Sequence, residues 1–329
     1  MAVFCLLAAS LAHARTRHAG SDHGRSPQLS ADAVNRADFA APTSARRASP
    51  VLVRAQVLLD RASFSPGQID GKPGGNFAKA LAAFQQSAGL DPTGKLDRAT
   101  FARLTEGSDA SALVEYEVTD DDVKGPFVAR IPRRMEDMAH LEHLDYTGPT
   151  QLLAEKFHVD EGLLKELNPG RPLDRAGTVI VVPNVVDARG DGTVARIEVD
   201  KARRAVRALD GNGALVAFYP ATIGSDEKPA PSGSYRVRKV VEKPTYRYDP
   251  RFRFKEIKTN RPFTIRPGPN NPVGVVWIDL SKPSYGIHGT PNPSKIGKTQ
   301  SHGCIRLTNW DVLDLARRIR KGTDVAFLD

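Results

Sequence analysis

Apolar positions recur with helical spacing in the first half of the chain and alternate in the second. Val51, Leu52, Ala55, Leu58 and Leu59 share one face of a helix. After the turn-rich stretch Phe64-Ser65-Pro66-Gly67-Gln68-Ile69-Asp70-Gly71, residues Phe77, Ala80, Leu81 and Phe84 share another. Asn76 is placed to cap this second helix. Asp97 is placed to cap a third, through Phe101 and Leu104, beyond the break at Asp91-Pro92-Thr93-Gly94. Residues 50–106 therefore predict a small three-helix domain.

In 113–184, Thr150 predicts the start of a helix through Leu152, Leu153 and Phe157. Asp160 predicts a second, through Leu163, Leu164 and Leu167, stopped by Asn168-Pro169-Gly170. Residues 177–183 (GTVIVVP) read as a strand, with a weaker partner expected near 141–146. From Gly192 the texture changes. The runs 194–199, 214–218, 234–240 and 275–280 alternate between Gly- and Pro-rich breaks, the pattern of short strands in a sandwich or barrel. One helix follows. Thr308 caps it with Asp311 set for a capping box, Leu313, Leu315 and Ile319 give it an apolar side, and Gly322 ends it. The fold class expected is multidomain α+β: a small three-helix domain, a βααβ segment over 113–184, and a mainly-β C-terminal domain over 192–329.

The start of the chain adds a compartment. Residues 2–12 are short and mostly apolar, and Ala12-His13-Ala14 has the small-x-small form of a signal-peptidase site. Residues 1–14 are expected to be a signal peptide leading to the periplasm or cell envelope, and 15–49 a disordered linker, with order beginning near Pro50. The stretch is too short to span a membrane. A net charge of +9 suits an anionic partner, and no like-charged run is long enough for a nucleic-acid arm. Tyr246, Tyr248, Phe252 and Phe254 alternate among basic residues. They fit a hairpin or flap over a cleft better than a nucleic-acid-binding strand.

Cysteine usage sharpens the picture. Of two cysteines, Cys5 lies in the expected leader, so the mature chain keeps only Cys304. A lone thiol in an oxidising compartment has no internal disulfide partner. Its surroundings are Ser301-His302-Gly303-Cys304-Ile305-Arg306. On a strand, His302 and Arg306 would share the face of Cys304, and either a base or a cation can activate a thiol. The amides of Gly303 and Cys304 could hold an oxyanion. A second histidine, His288, ends the run Tyr285-Gly286-Ile287-His288-Gly289-Thr290. These residues alone leave His288 and His302 open as the base. A zinc site lacks a fourth ligand at this spacing. No metal or cofactor is expected, and Trp277 and Trp310 read as core.

Two accessory resemblances support a wall-directed reading. Gly67-Gln68-Ile69-Asp70-Gly71, Ala80-Leu81-Ala82-Ala83-Phe84-Gln85, Gly89-Leu90, Gly94, Asp97 and Thr100 resemble a three-helix peptidoglycan-binding domain, with Gly74-Gly75-Asn76-Phe77 in place of its Thr-rich second helix start. The segment with Asn168-Pro169-Gly170 and GTVIVVP resembles the LysM carbohydrate-binding module.

His288-Gly289-Thr290 followed by Ser301-His302-Gly303-Cys304-Ile305-Arg306-Leu307 resembles the YkuD-type catalytic domain of L,D-transpeptidases. The likeness extends over 192–329 through Pro231-Ser232-Gly233-Ser234-Tyr235, Asn271-Pro272-x-Gly274, Asn309 and Asp311. It implies that Cys304 attacks a stem peptide at its third residue, releases D-Ala as a thioester forms, and passes the acyl group to an amine in a 3→3 cross-link. It implies His288 as general base and acid. Gly289 would orient that imidazole, through a backbone carbonyl or in the place of a Ser. His302 would shape the pocket and oxyanion site, Ser301 would hold the loop, and Arg306 would anchor the loop or face the substrate carboxylate. Tyr285 and Thr290 would contact substrate. The acceptor could equally be a lipoprotein lysine or water, the last giving an L,D-carboxypeptidase or endopeptidase. A non-catalytic wall-binding scaffold is the rival from another class. Peptidoglycan peptides and glycan are the expected partners, nucleic acid is not, and carbapenems should acylate Cys304.

Overall fold

The computed structural model describes residues 29–39, 47–108, 110–186, 192–225, 228–252, 257–301 and 303–329. The expected signal peptide, Cys5, Phe254 and His302 lie outside the described residues. Among those described, no helix is long and apolar enough to cross a membrane.

Order begins earlier than the composition suggests. Ala31–Asn35 forms a short helix (α1) capped by the Ser30 hydroxyl, and Val34 is fully buried. The Asn35 side chain both donates to and accepts from the backbone of Leu113. This part of 15–49 is therefore packed structure, not solvated linker.

Three helices follow: Pro50–Arg61 (α2), Gly75–Ser87 (α3) and Arg98–Thr105 (α4). Asp97 caps α4 through the Thr100 amide, but the N-cap of α3 is Gly74. Asn76 lies inside α3, and its side-chain amide donates to the carbonyl of Ile296 at 2.8 Å. A helix apolar on all sides must be covered on all sides. α2 is such a helix. Val51, Leu52, Ala55, Leu58 and Leu59 pack with α3 and α4, while Val53 and Val57 pack with the segment that follows. The Gly67–Gly71 loop is held by buried Gln56, whose Oε1 accepts from the amides of Asp70 and Gly71.

The middle segment pairs Leu113–Glu117 (β1) antiparallel with Val179–Pro183 (β2). Between them lie the short helices Asp120–Lys124 (α5) and Met135–Met138 (α6), then Pro149–Lys156 (α7) and Glu161–Leu167 (α8). The first strand is thus 113–117, not 141–146. In the latter stretch Leu144 is buried and hydrogen-bonds to Pro267 and Asn270 of the C-terminal domain. Asp160 caps α8, whereas α7 starts after Gly148 with Pro149 in its first turn, so Thr150 lies inside it.

The C-terminal domain is a sheet of nine strands among the described residues. They are Arg196–Asp200 (β3), Ala205–Leu209 (β4), Leu215–Pro220 (β5), Thr222–Ile223 (β6), Gly233–Glu242 (β7), Val276–Leu280 (β10), Gly286–His288 (β11), Ile305–Arg306 (β12) and Asp324–Leu328 (β13). Their order is β5-β4-β3-β13-β7-β10-β11-β12-β6. Long β7 serves two partners. Its residues 233–236 pair with β13, and 237–242 pair with β10. Tyr246–Tyr248 (β8) and Phe263–Ile265 (β9) form a separate antiparallel hairpin. The helix Asn309–Arg318 (α9) is capped by Thr308 and ends before Ile319, earlier than Gly322 predicts.

The helical unit is built into this sheet. Ser65 donates its amide to the carbonyl of Phe218, and Phe218 donates to Ser63, so 63–65 lie along the outer side of edge strand β5. Polar side chains then bind the unit to α9. The Ser65 hydroxyl donates to Asp311, Arg318 donates to Ser63 and Asp314, and the Tyr219 hydroxyl donates to Asp314 at 2.7 Å. His158 joins all three units. Its Nδ1 lies 3.0 Å from Asp60, and its ring stacks on Trp310 at 5.2 Å. Trp310 is therefore a junction residue as well as a buried one. Removing one partner of a buried ion pair strands the other. Arg318→Ala should cost about 3–5 kcal/mol of stability, measured by urea denaturation against wild type.

Candidate active site

His288 and Cys304 come from neighbouring strands. β11 and β12 run parallel, with Ile287 opposite Ile305 and His288 opposite Arg306. Both isoleucines are fully buried in the domain core. Alternation along each strand then turns His288, Arg306 and Cys304 to the opposite face. Adjacent strands lie about 4.8 Å apart, so the imidazole and the thiol stand on the same face of neighbouring strands.

The imidazole is held from two sides. Its Nδ1 is 2.7 Å from the carbonyl oxygen of Gly289. A carbonyl can only accept, so Nδ1 carries the proton and Nε2 keeps its lone pair. Trp277, directly opposite His288 in β10, stacks on the ring at 5.5 Å with planes 18° apart. Trp277 thus fixes the histidine rather than serving as plain core. Burial, and then the positive charge of Arg306, push the His288 pKa down to about 3. The resting imidazole is neutral.

Cys304 is half-buried, and its Sγ contacts the carbonyl of Ser284 at 3.8 Å. Burial raises its pKa, opposed by a hydrogen bond from the Gly286 backbone and by Arg306. The resting pair is therefore neutral thiol and neutral imidazole, not a preformed ion pair. Proton transfer must accompany attack.

Other predicted residues have defined places. Ser301 donates its hydroxyl to the Cys304 carbonyl at 2.6 Å and its amide to Gly224. The Gly303 amide, an expected oxyanion donor, instead donates to the Ser301 hydroxyl at 3.3 Å. The Tyr285 ring lies against Gly303. Thr290 is buried, and its hydroxyl accepts from the Asn292 amide, which folds the loop beyond the histidine. Arg306 also donates to the Gln300 carbonyl at 3.4 Å. The hairpin reaches the cleft. Tyr246 in β8 has its pKa raised to about 12 by burial and then by the charge of Cys304.

Two residues that sequence reasoning gave no role stand behind the histidine. Asn309 fills the space where a Cβ of Gly289 or Gly274 would be, and Gly274 adopts φ +62°, which side chains disfavour. The Asn309 amide donates to both oxygens of Glu155, at 2.9 and 3.3 Å, and to the Pro269 carbonyl. Glu155 belongs to α7 of the middle segment and is only 8% exposed. Burial raises its pKa to about 7, opposed by hydrogen bonds from Asn309 and Tyr146. Asn309 and Gly274 belong to the motifs noted in the sequence. Nothing in the sequence around Glu155 connects it to them.

A further cavity of about 470 Å³ lies in the middle segment, where Thr147, Thr150, Gln151, Glu161, Lys165 and Arg171 are among its lining residues.

Comparison with known proteins places the chain among wall-directed enzymes by sequence. The L,D-transpeptidase catalytic domain model (YkuD) matches residues 194–326, and a peptidoglycan-binding domain model matches 49–104. The chain is 34% identical over 177 residues to YkuD of Bacillus licheniformis, a protein assigned to the L,D-transpeptidases, covering 53% of this chain and 90% of that one. It is 27% identical over 191 residues to YbiS of Escherichia coli, covering 56% and 61%. A solved L,D-transpeptidase from Xylanimonas cellulosilytica shows a remote likeness, with TM-score 0.39 at 16% identity over 88% of this chain and 100% of that one.

Two outcomes follow from the electrostatics. ¹⁵N NMR should show His288 as the neutral, Nδ1-protonated tautomer from neutral pH to well below the usual histidine range of about 6.5, with imidazolium only near pH 3. For Glu155, a raised pKa means that the folded state holds the extra proton between 4.5 and about 7. Stability from this group is thus full below 4.5 and lost as pH rises through 7. In Glu155→Gln, chemical denaturation should show that slope removed.

Proposed function

This chain belongs to the L,D-transpeptidase family, and we propose that it cross-links peptidoglycan through a thioester on Cys304. The observation that carries the proposal is a neutral imidazole whose Nε2 keeps its lone pair, on the strand beside Cys304, the one cysteine among the described residues.

As Sγ attacks the carbonyl carbon of the third stem residue, Nε2 of His288 takes the thiol proton. The tetrahedral intermediate collapses, and the bond to the terminal D-Ala breaks. The D-Ala nitrogen leaves with the proton returned by His288, and the acyl group stays on sulfur. An acceptor amine then attacks the thioester, His288 takes its proton, and the new amide forms as Cys304 regains its hydrogen. Arg306 favours the thiolate but opposes imidazolium. A substrate carboxylate placed near Arg306 would weaken that opposition and raise the basicity of His288 when substrate arrives. The acceptor is assigned as a diamino-acid amine, with a lipoprotein lysine and water as outcomes of the test.

The match over 49–104 supports wall attachment by the helical unit. The cavity in the middle segment, with hydroxyls, amides and both charge signs on its walls, is the surface assigned to glycan. Secretion to the cell envelope through residues 1–14 completes this reading.

Purified protein incubated with tetrapeptide-containing muropeptides should yield 3→3 dimers and free D-Ala, read by mass spectrometry. Cys304→Ser should abolish the covalent adduct with a meropenem-type carbapenem. His288→Ala should slow thioester formation by roughly 10²–10⁴-fold, the usual worth of a general base. Near-normal acylation of that variant would remove His288 from the mechanism, and tripeptide without dimers would identify a carboxypeptidase.

A further inference from the structure

We infer that Glu155, from the middle segment, is a positioning residue for the catalytic imidazole of the C-terminal domain, acting through Asn309 and Gly289. The inference rests on the assignment of His288 as base.

Helix α7 faces the catalytic domain with Gln151 and Glu155, one helical turn apart. Gln151 exchanges hydrogen bonds with the Asn270 side chain at 3.0 and 3.1 Å. Both carboxylate oxygens of Glu155 accept from the single amide nitrogen of Asn309. Asn309 is 2% exposed. Its Nδ2 is shared between Glu155 and the Pro269 carbonyl, and its Oδ1 accepts from the Val275 amide at 3.4 Å. That oxygen sits against the Gly289 and Gly274 backbones, in the room left by their missing side chains. Gly289 supplies the carbonyl that takes the Nδ1 proton of His288. Every link from Glu155 to the imidazole is therefore a direct contact, and displacement of Asn309 shifts the acceptor that fixes the tautomer.

The carboxylate is more than packing requires. Tyr146 donates to it, Glu161 is the like charge acting on it, and Asp145 acts in turn on Tyr146. Among the described residues, the groups that set its ionisation are Asn309, Tyr146 and Glu161, none of them a cation. An amide in its place could accept from Asn309 and donate to the Tyr146 oxygen without burying a charge. Ionised, Glu155 accepts from Asn309 with both oxygens. Protonated, one oxygen becomes a donor and the grip on Asn309 weakens. The position of the base is thereby tied to the charge of a residue outside the catalytic domain.

The test uses the full chain and the rate of Cys304 acylation, followed by mass spectrometry with a tetrapeptide stem and a carbapenem from about pH 5 to about pH 9. Glu155→Ala should slow acylation by roughly 100-fold, the cost of misplacing a reacting group by an ångström, with little change in KM. Glu155→Gln should recover most of that loss, and its pH profile should lack the inflection near pH 7 that wild type shows. Folded Glu155→Ala that acylates at the wild-type rate overturns the inference. Should Glu155→Ala fail to fold, a Glu155→Gln profile superimposable on wild type overturns it. Wild-type protein that takes no acyl group at all sinks the thioester assignment and this inference with it, whereas failure of positioning alone leaves wild-type acylation intact.

Discussion

The hydrogen bond from His288 Nδ1 to the Gly289 carbonyl is 2.7 Å long and buried. It leaves Nε2 as the only nitrogen able to take a proton, and it does so without a carboxylate partner. An acid in that place would raise the imidazole pKa, as an anion beside a cation does. A carbonyl dipole is weaker, so burial and Arg306 prevail and the ring rests neutral. Much of the surrounding architecture serves to keep that carbonyl still. Trp277 covers the ring, Gly274 and Gly289 admit Asn309, and Asn309 is pinned by Glu155, Pro269 and Val275.

The accessory units take part in this framework. Asn76 of the helical unit holds the Ile296 carbonyl, within the loop that joins His288 to Cys304. Glu155 of the middle segment stands behind the base. His158, Asp60 and Trp310 meet where all three units touch. Removing either accessory unit would expose buried polar side chains of the catalytic domain, among them Asn309, Asp311 and Arg318. Such groups are costly once their partners are lost.

Local pattern made much of this legible. The alternating runs predicted β3, β5, β7 and β10, and Asp97, Asp160 and Thr308 cap the helices they were expected to cap. Cys304 and His288 stand out by residue type, loop context and spacing. The failures share a cause. Asn76 and Thr150 look like caps because nothing local says that Gly74 and Gly148 precede them with extended backbone. β1 lies more than sixty residues from its partner β2, as the register Leu113 to Pro183 shows, so no local pattern joins them. Glu155 looks like an ordinary helix-surface acid. Its burial is imposed by Asn309, whose hydrogen bond spans 154 positions of sequence. Val53 and Val57 did carry a usable signal, since a helix apolar all round needs two neighbours.

The loop at 63–65 also covers one margin of the sheet. An open sheet offers unpaired amides and carbonyls at its margins, and those margins template strand addition and aggregation. Here one margin, β5, is occupied by Ser63 and Ser65 through Phe218, and the other, β6, is two residues long. The chain thus caps its own β-sheet with a segment borrowed from a helical unit. The same few hydrogen bonds that fix that unit in place also occupy the Phe218 amide and carbonyl on that margin.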